Sequence, residues 1–163
     1  QPCLVPAGSP IGQLEGVTNM VVIEGDFVGR IVLSGPGAGE GPTASAIVGD
    51  IVDIARGLII PPFGRPSASL IPAARPGVGA QASYYLRFLL ADAPGVLAKV
   101  ATALGEADIS INRMRQVEHD GPEAPVLIVT HRTERPRLDA ALAAIAGLDV
   151  CREAPVAIRI EEL

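Results

Sequence analysis

Residues 58–83, LIIPPFGRPSASLIPAARPGVGAQAS, hold five prolines and three glycines, and neither a two-residue nor a 3.6-residue apolar period survives among them. Each proline removes a backbone donor and pins φ, so no helix or internal strand can run through the stretch. The segment therefore divides the 163-residue chain and reads as a linker between residues 1–57 and 84–163. Leu58, Ile59, Ile60 and Phe63 keep a second reading open, an extended arm packed on a neighbour, because a free linker has little use for four large apolar residues.

Ahead of this divider, Met20 to Glu24 and Phe27 to Ser34 are β-branched runs separated by Gly25-Asp26, a pair suited to a tight hairpin turn. Ala44, Ile47, Val48, Ile51, Ile54 and Ala55 then recur at spacings of three and four, with Thr43 at the expected cap position and Gly57 as the stop. A hairpin and one amphipathic helix are expected.

Beyond it, Tyr84 to Leu90 reads as a strand and Asp92-Ala93-Pro94-Gly95 as the opening of a helix with Val96, Leu97, Val100, Ala101 and Leu104 on one face. Ile109 to Gln116 and Val126 to His131 alternate as strands around a turn at 120–122. Arg135 to Ala146 is a second helix with Leu138, Ala141, Leu142 and Ile145 inward, and Val156 to Ile160 a last strand. The order β-α-β-β-α-β predicts an α+β, ferredoxin-like split unit, one sheet with both helices on a single face. The uncovered edges of such a sheet favour pairing with a second copy, so a dimer is expected.

Composition narrows the function classes. Hydrophobic residues at 48% suffice for a core, while 3% aromatics and no tryptophan leave no stacking platform for bases. The net charge of −5 carries no basic patch, so nucleic acid is not an expected partner. Neither a membrane span nor a signal peptide is readable. Cys3 and Cys151 are far apart without further thiols or histidines at ligand spacing, which predicts no metal site and fits a reducing cytoplasm.

Catalytic side chains are scarce, and no catalytic residue is assigned. Lys99, the sole lysine, faces no evident acid or nucleophile; His119 in a polar turn and His131 at a strand end are expected at the surface. Asp50 and Asp53 share the polar side of the first helix and read as a solvated face.

Two backbone features point to ligands. In Gly35-Pro36-Gly37-Ala38-Gly39 the dinucleotide fingerprint fails, because the sixth position falls on Glu40 or Pro42. Bare glycines at 37 and 39, with open amides at a helix start near Thr43, suit either close backbone packing or contact with an anion. At Asp92-Ala93-Pro94-Gly95-Val96-Leu97, the amides of residues 95 to 97 suit a carboxylate and Asp92 an ammonium group; the alternative is that Asp92 only caps the helix.

Tyr84-Tyr85-Leu86-Arg87, Asp92-x-Pro94-Gly95-Val96-Leu97-Ala98 and Ile109-Ser110-Ile111 with Gln116 resemble an ACT domain, in the wording found at the end of bacterial homoserine dehydrogenase. Gly16-Val17-Thr18-Asn19, Gly25-Asp26, Gly35 to Gly39, Pro42 to Ala46 and Asp50 resemble the closing hairpin and final helix of that enzyme's catalytic region. The resemblance implies an oxidoreductase interconverting L-homoserine and L-aspartate 4-semialdehyde with NAD(P), on the route to threonine and methionine. It also implies that an N-terminal nucleotide domain and a catalytic lysine lie outside this sequence, so the chain alone is expected to hold no cofactor and to be inactive. Gly37, Ala38, Gly39 and Thr43 become the implied cofactor contacts. Asp92, Gly95, Val96 and Ser110 become implied contacts of an amino-acid effector, threonine favoured, at a dimer interface; relatives often carry Asn in place of Ser110, and Asn112 can substitute. The other reading is a stand-alone amino-acid-binding or dimerisation module.

Overall fold

The computed structural model describes residues 1–61, 63–72 and 80–162. It separates into two compact units, Gln1–Pro6 with Arg75–Leu163 and Ala7–Ala74. Part of the linker-or-arm segment, residues 62 and 73–79, lies outside the described residues.

The larger unit contains strands β1 (Cys3–Leu4), β4 (Ser83–Ala91), β5 (Ile111–Gln116), β6 (Glu123–Thr130) and β7 (Val156–Ile160), with helices α2 (Val96–Glu106) and α3 (Arg135–Ala146). The sheet order is β1-β7-β4-β6-β5, the expected α+β ferredoxin-like arrangement with one additional strand. That strand, β1, runs parallel to β7 with Cys3 opposite Arg159 and Leu4 opposite Ile160. Two residues carry no readable period, and the sequence pattern gave no hint of this pairing.

Alternation along β4 and β6 sends Tyr84, Leu86, Phe88 and Leu90, with Val126 and Ile128, to the helix-covered face. Val96, Val100 and Leu104 from α2 and Leu138, Ala141 and Ile145 from α3 close over them. A polar group sunk into this layer is used: buried Thr130 accepts the Tyr84 N–H at 3.1 Å through its hydroxyl. Helix α2 ends in a Schellman motif, Ile109 N–H to Leu104 O and Asp108 N–H to Gly105 O, both 2.9 Å, with Asp108 at φ 58.

Strand β5 departs from the simple alternation. Ile111 lies opposite Thr130 and Arg113 opposite Val129, so Asn112 is the extra residue of a β-bulge. Past the bulge, Met114 and Gln116 face the same way as Ile128 and Val126, whereas Arg113 and Arg115 lie with Val129 and Leu127 on the other face.

The smaller unit comprises β2 (Thr18–Gly25), β3 (Gly29–Pro36), α1 (Glu40–Ala55) and a single 3₁₀ turn, Ser67–Ser69. The hairpin turns later than its glycine suggests: Gly25 pairs with Gly29, leaving Asp26, Phe27 and Val28 as a three-residue loop closed by Gly29 at φ 73. Phe27 is thus fully exposed at the tip rather than within a strand. Helix α1 starts at Glu40 with Gly39 as its N-cap, so Thr43 does not cap it and its N–H bonds the Gly39 carbonyl at 3.1 Å. The predicted glycine stop holds: Gly57 N–H to Ile54 O (3.0 Å) and Leu58 N–H to Asp53 O (2.9 Å) form a second Schellman motif.

No apolar side chain of this smaller unit is buried among the described residues. Ile47, Val48, Ile51 and Ile54 of α1 are 55–68% exposed, and Ile59, Ile60 and Phe63 of the following segment 68–83%. The apolar stripe of α1 is formed as the periodicity predicts, but among the described residues of this unit nothing covers it.

Candidate functional site

The larger unit carries a pocket of about 200 Å³ at the junction of β4, α2 and β5. Its wall is Ala93-Pro94-Gly95, a turn closed by Val96 N–H to Ala93 O at 3.3 Å. Gly95 has φ 84 and ψ −9, the third-residue geometry of a type II turn, which requires glycine there and favours the proline before it. Pro94 accordingly belongs to this turn, and α2 begins only at Val96. The Val96 amide is therefore committed, while among the described residues no acceptor takes the Gly95 or Leu97 N–H. The amides left open are those two rather than the run 95–97.

Asp92 opens the same pocket. Its backbone is fixed by its N–H to the Pro122 carbonyl at 2.8 Å. No side chain caps α2, so Asp92 is not a helix cap; its Oδ1 accepts from Gln116 Nε2 at 3.3 Å, and its Oδ2 lies 3.6 Å from His119 Nε2. His119 is not a surface residue, since its side chain is only 17% exposed. Sequence reasoning missed it because the contact joins two loops distant in the chain, and a polar turn gives no signal of side-chain burial.

Asp92, Gly95 and Val96 are thus brought together, with Gln116 as a further lining residue. Ser110 and Asn112 do not line this pocket. They stand at the far end of β5, where the Ser110 carbonyl accepts His131 N–H at 2.9 Å, roughly 13–20 Å along the strand from Gln116 at about 3.3 Å per residue.

In the smaller unit, the glycines of the loop before α1 have separate physical causes. Gly37 donates its N–H to the Val17 carbonyl at 2.7 Å, and a Cβ there would fall on the Asn19 carboxamide, so close packing explains it. Gly39 adopts φ 119, a conformation side chains rarely accept. Among the described residues the Ala38, Gly39, Glu40 and Gly41 amides have no backbone acceptor, and they gather at the positive end of a 16-residue helix. Thr43 lies one turn further in, its amide already spent.

The other candidates resolve simply. Lys99 does have an acidic partner, Asp149, at 3.0 Å in an exposed pair. Its ammonium group holds the Asp149 carboxyl below the ordinary carboxylate range. His131, Asp50 and Asp53 are exposed as expected. Cys3 and Cys151 are free thiols, the latter pushed upward in pKa by burial. Among the described residues no cluster of metal-ligating side chains occurs, and no helix is long and apolar enough to cross a membrane.

Two known families match parts of the chain. Residues 1–52 match the homoserine dehydrogenase family and residues 84–150 the ACT domain family. A homoserine dehydrogenase of Pseudomonas aeruginosa is 38% identical over 99% of this chain and 39% of its own length; that of Mycobacterium leprae is 34% identical over 98% of the chain and 38% of its own. A crystal structure of homoserine dehydrogenase from Thiobacillus denitrificans superposes with a TM-score of 0.80 at 34% identity, over 99% of this chain and 38% of that one. The chain spans about two fifths of the length of the relatives it matches. With a homoserine dehydrogenase segment and an ACT domain following in this order, the chain is similar over nearly its whole length to part of the homoserine dehydrogenases.

Proposed function

We propose that the whole protein interconverts L-homoserine and L-aspartate 4-semialdehyde with NAD(P) in the cytoplasm, and that this chain supplies its cofactor-closing loop and a regulatory ACT dimer. The similarity to a solved homoserine dehydrogenase over nearly the entire chain carries this reading. The loop fits the cofactor: the Ala38 and Gly39 amides at the α1 N-terminus suit a diphosphate, Gly37 lets the chain pass closely over Asn19, and the Thr43 hydroxyl lies one turn along. The hydride chemistry belongs to the nicotinamide, while groups to position homoserine and move its proton are not offered by residues 1–57. Assayed for homoserine-dependent NADP reduction, the 163 residues alone should give no turnover; clear activity would refute this account.

At the ACT pocket we assign Asp92 to an effector's ammonium group and the Gly95 and Leu97 amides, beside Val96, to its carboxylate. The small volume suits a short side chain, threonine being favoured. Ser110 and Asn112, too distant within one copy, would reach the effector from a second copy. The β5 edge offers a six-residue strand for that pairing, whereas the opposite edge ends in the two-residue β1. Calorimetric titration with L-threonine should show binding, and Asp92→Ala should weaken it about tenfold or more, because a hydrogen bond to a charged group is worth about 1.5–3 kcal/mol. Unchanged affinity would remove Asp92 from the site.

A second reading, an amino-acid-binding or dimerisation module without catalysis, draws support from the larger unit being the one with a hydrophobic core. The turnover assay on the whole protein separates the two.

A further inference from the structure

His119 has a defined tautomer and an undefined partner. Its Nδ1 lies 3.1 Å from the Val117 carbonyl, which only accepts, so Nδ1 carries a proton. In the neutral ring Nε2 is then a bare lone pair. It is sealed from solvent, has no hydrogen-bond partner, and faces Asp92 Oδ2 at 3.6 Å, acceptor against acceptor. A proton on Nε2 turns this opposition into a charge-assisted pair that ties up the carboxylate. The other charged groups nearby are Glu118 and Asp120 on the same loop and, at the start of β6, Glu123, which Arg152 approaches at 3.7 Å.

We propose that His119 is a positioning residue for Asp92: protonated, it draws the carboxylate onto itself, and neutral, it leaves the carboxylate, steadied by Gln116, free to take a ligand's ammonium group. This rests on the amino-acid reading of the pocket. The proton and the ammonium group compete for one carboxylate, so ligand affinity falls as the pH is lowered.

Calorimetry of L-threonine on the full 163-residue chain at pH 8.0 and pH 5.5 tests this. The native chain should bind at least about fivefold more weakly at the lower pH, the low end of usual coupling between sites. His119→Gln, polar and of similar reach but unable to titrate, should bind equally at both. His131→Gln, altering the chain's other histidine, should keep the native pH dependence. A pH-independent native chain, or a His119→Gln variant that retains the dependence, overturns the role of His119 while leaving the pocket intact. If neither threonine nor any other amino acid binds at either pH, the pocket reading fails instead. The contact itself is then read without ligand by proton NMR at pH 5.5. A slowly exchanging His119 Nε2–H resonance that Asp92→Asn abolishes supports the pairing, and its persistence in that variant overturns it.

Discussion

Leu138→Ala should lower the stability of the ACT unit by about 2–5 kcal/mol, the usual cost of truncating a buried leucine to alanine. The helix that carries it, RPRLDAALAAIA, buries Leu138, Ala141 and Ile145. Leu138 and Ile145 are its only large side chains with no exposed surface, Leu142 being partly buried beside them. Truncation opens a void between α3 and the sheet that alanine neighbours cannot fill by changing rotamer. Against a total of about 5–15 kcal/mol for a typical domain, the loss takes a large share. Urea titration should show a lower midpoint with an unchanged slope. Met114→Ala, at a half-exposed edge position, should stay within about 0.5 kcal/mol. A Leu138 variant within that same margin would mean that α3 is not held by its apolar face.

Hydrogen exchange should separate the two units even more widely. In the ACT unit, amides of β4, β6, α2 and α3 sit over a continuous core and should open only near the global free energy. The hairpin and α1 form their own backbone ladders but bury no apolar side chain, and an isolated hairpin or helix of this length is marginal in water. Their amides should exchange at least about a hundredfold faster, equivalent to a difference of about 3 kcal/mol in opening free energy. Equal protection would show that their exposed isoleucines and valines are covered in solution, by other parts of the protein or by a second copy.

The repeating patterns were legible in the sequence because burial writes them. The spacing of Ile47, Val48, Ile51 and Ile54 located α1, and the alternations through Tyr84 to Leu90 and from Val126 located the two central strands. Elements resting on one or two residues were not legible. Cys3 and Leu4 form a parallel strand with no period to betray it, and Phe27 reads as strand until the Gly25–Gly29 register puts it at a tip. At the candidate site, glycine and proline disclosed the turn around Gly95 because backbone geometry demands those residue types. Gln116 and His119 converge on Asp92 through side chains from another loop, and that convergence exists only once β4 and β5 are brought into one sheet. Spacing alone also put Thr43 at a helix cap and left that role open for Asp92, whereas in both cases a glycine occupies that position.

The irregularity at Asn112 also sorts charge. Counting by twos from Ile111, whose partner Thr130 is wholly buried, would drive Arg113 and Arg115 beneath the helices, opposite Ile128 and Val126. One surplus residue reverses the parity, so both guanidinium groups emerge on the uncovered side and the Gln116 amide turns toward Asp92 instead. Flattening the bulge while keeping Asn112 in regular pairing would thus do two kinds of damage at once, forcing two cations into an apolar layer and withdrawing a donor from the carboxylate at the pocket mouth, whereas deleting Asn112 outright would leave the register beyond it intact.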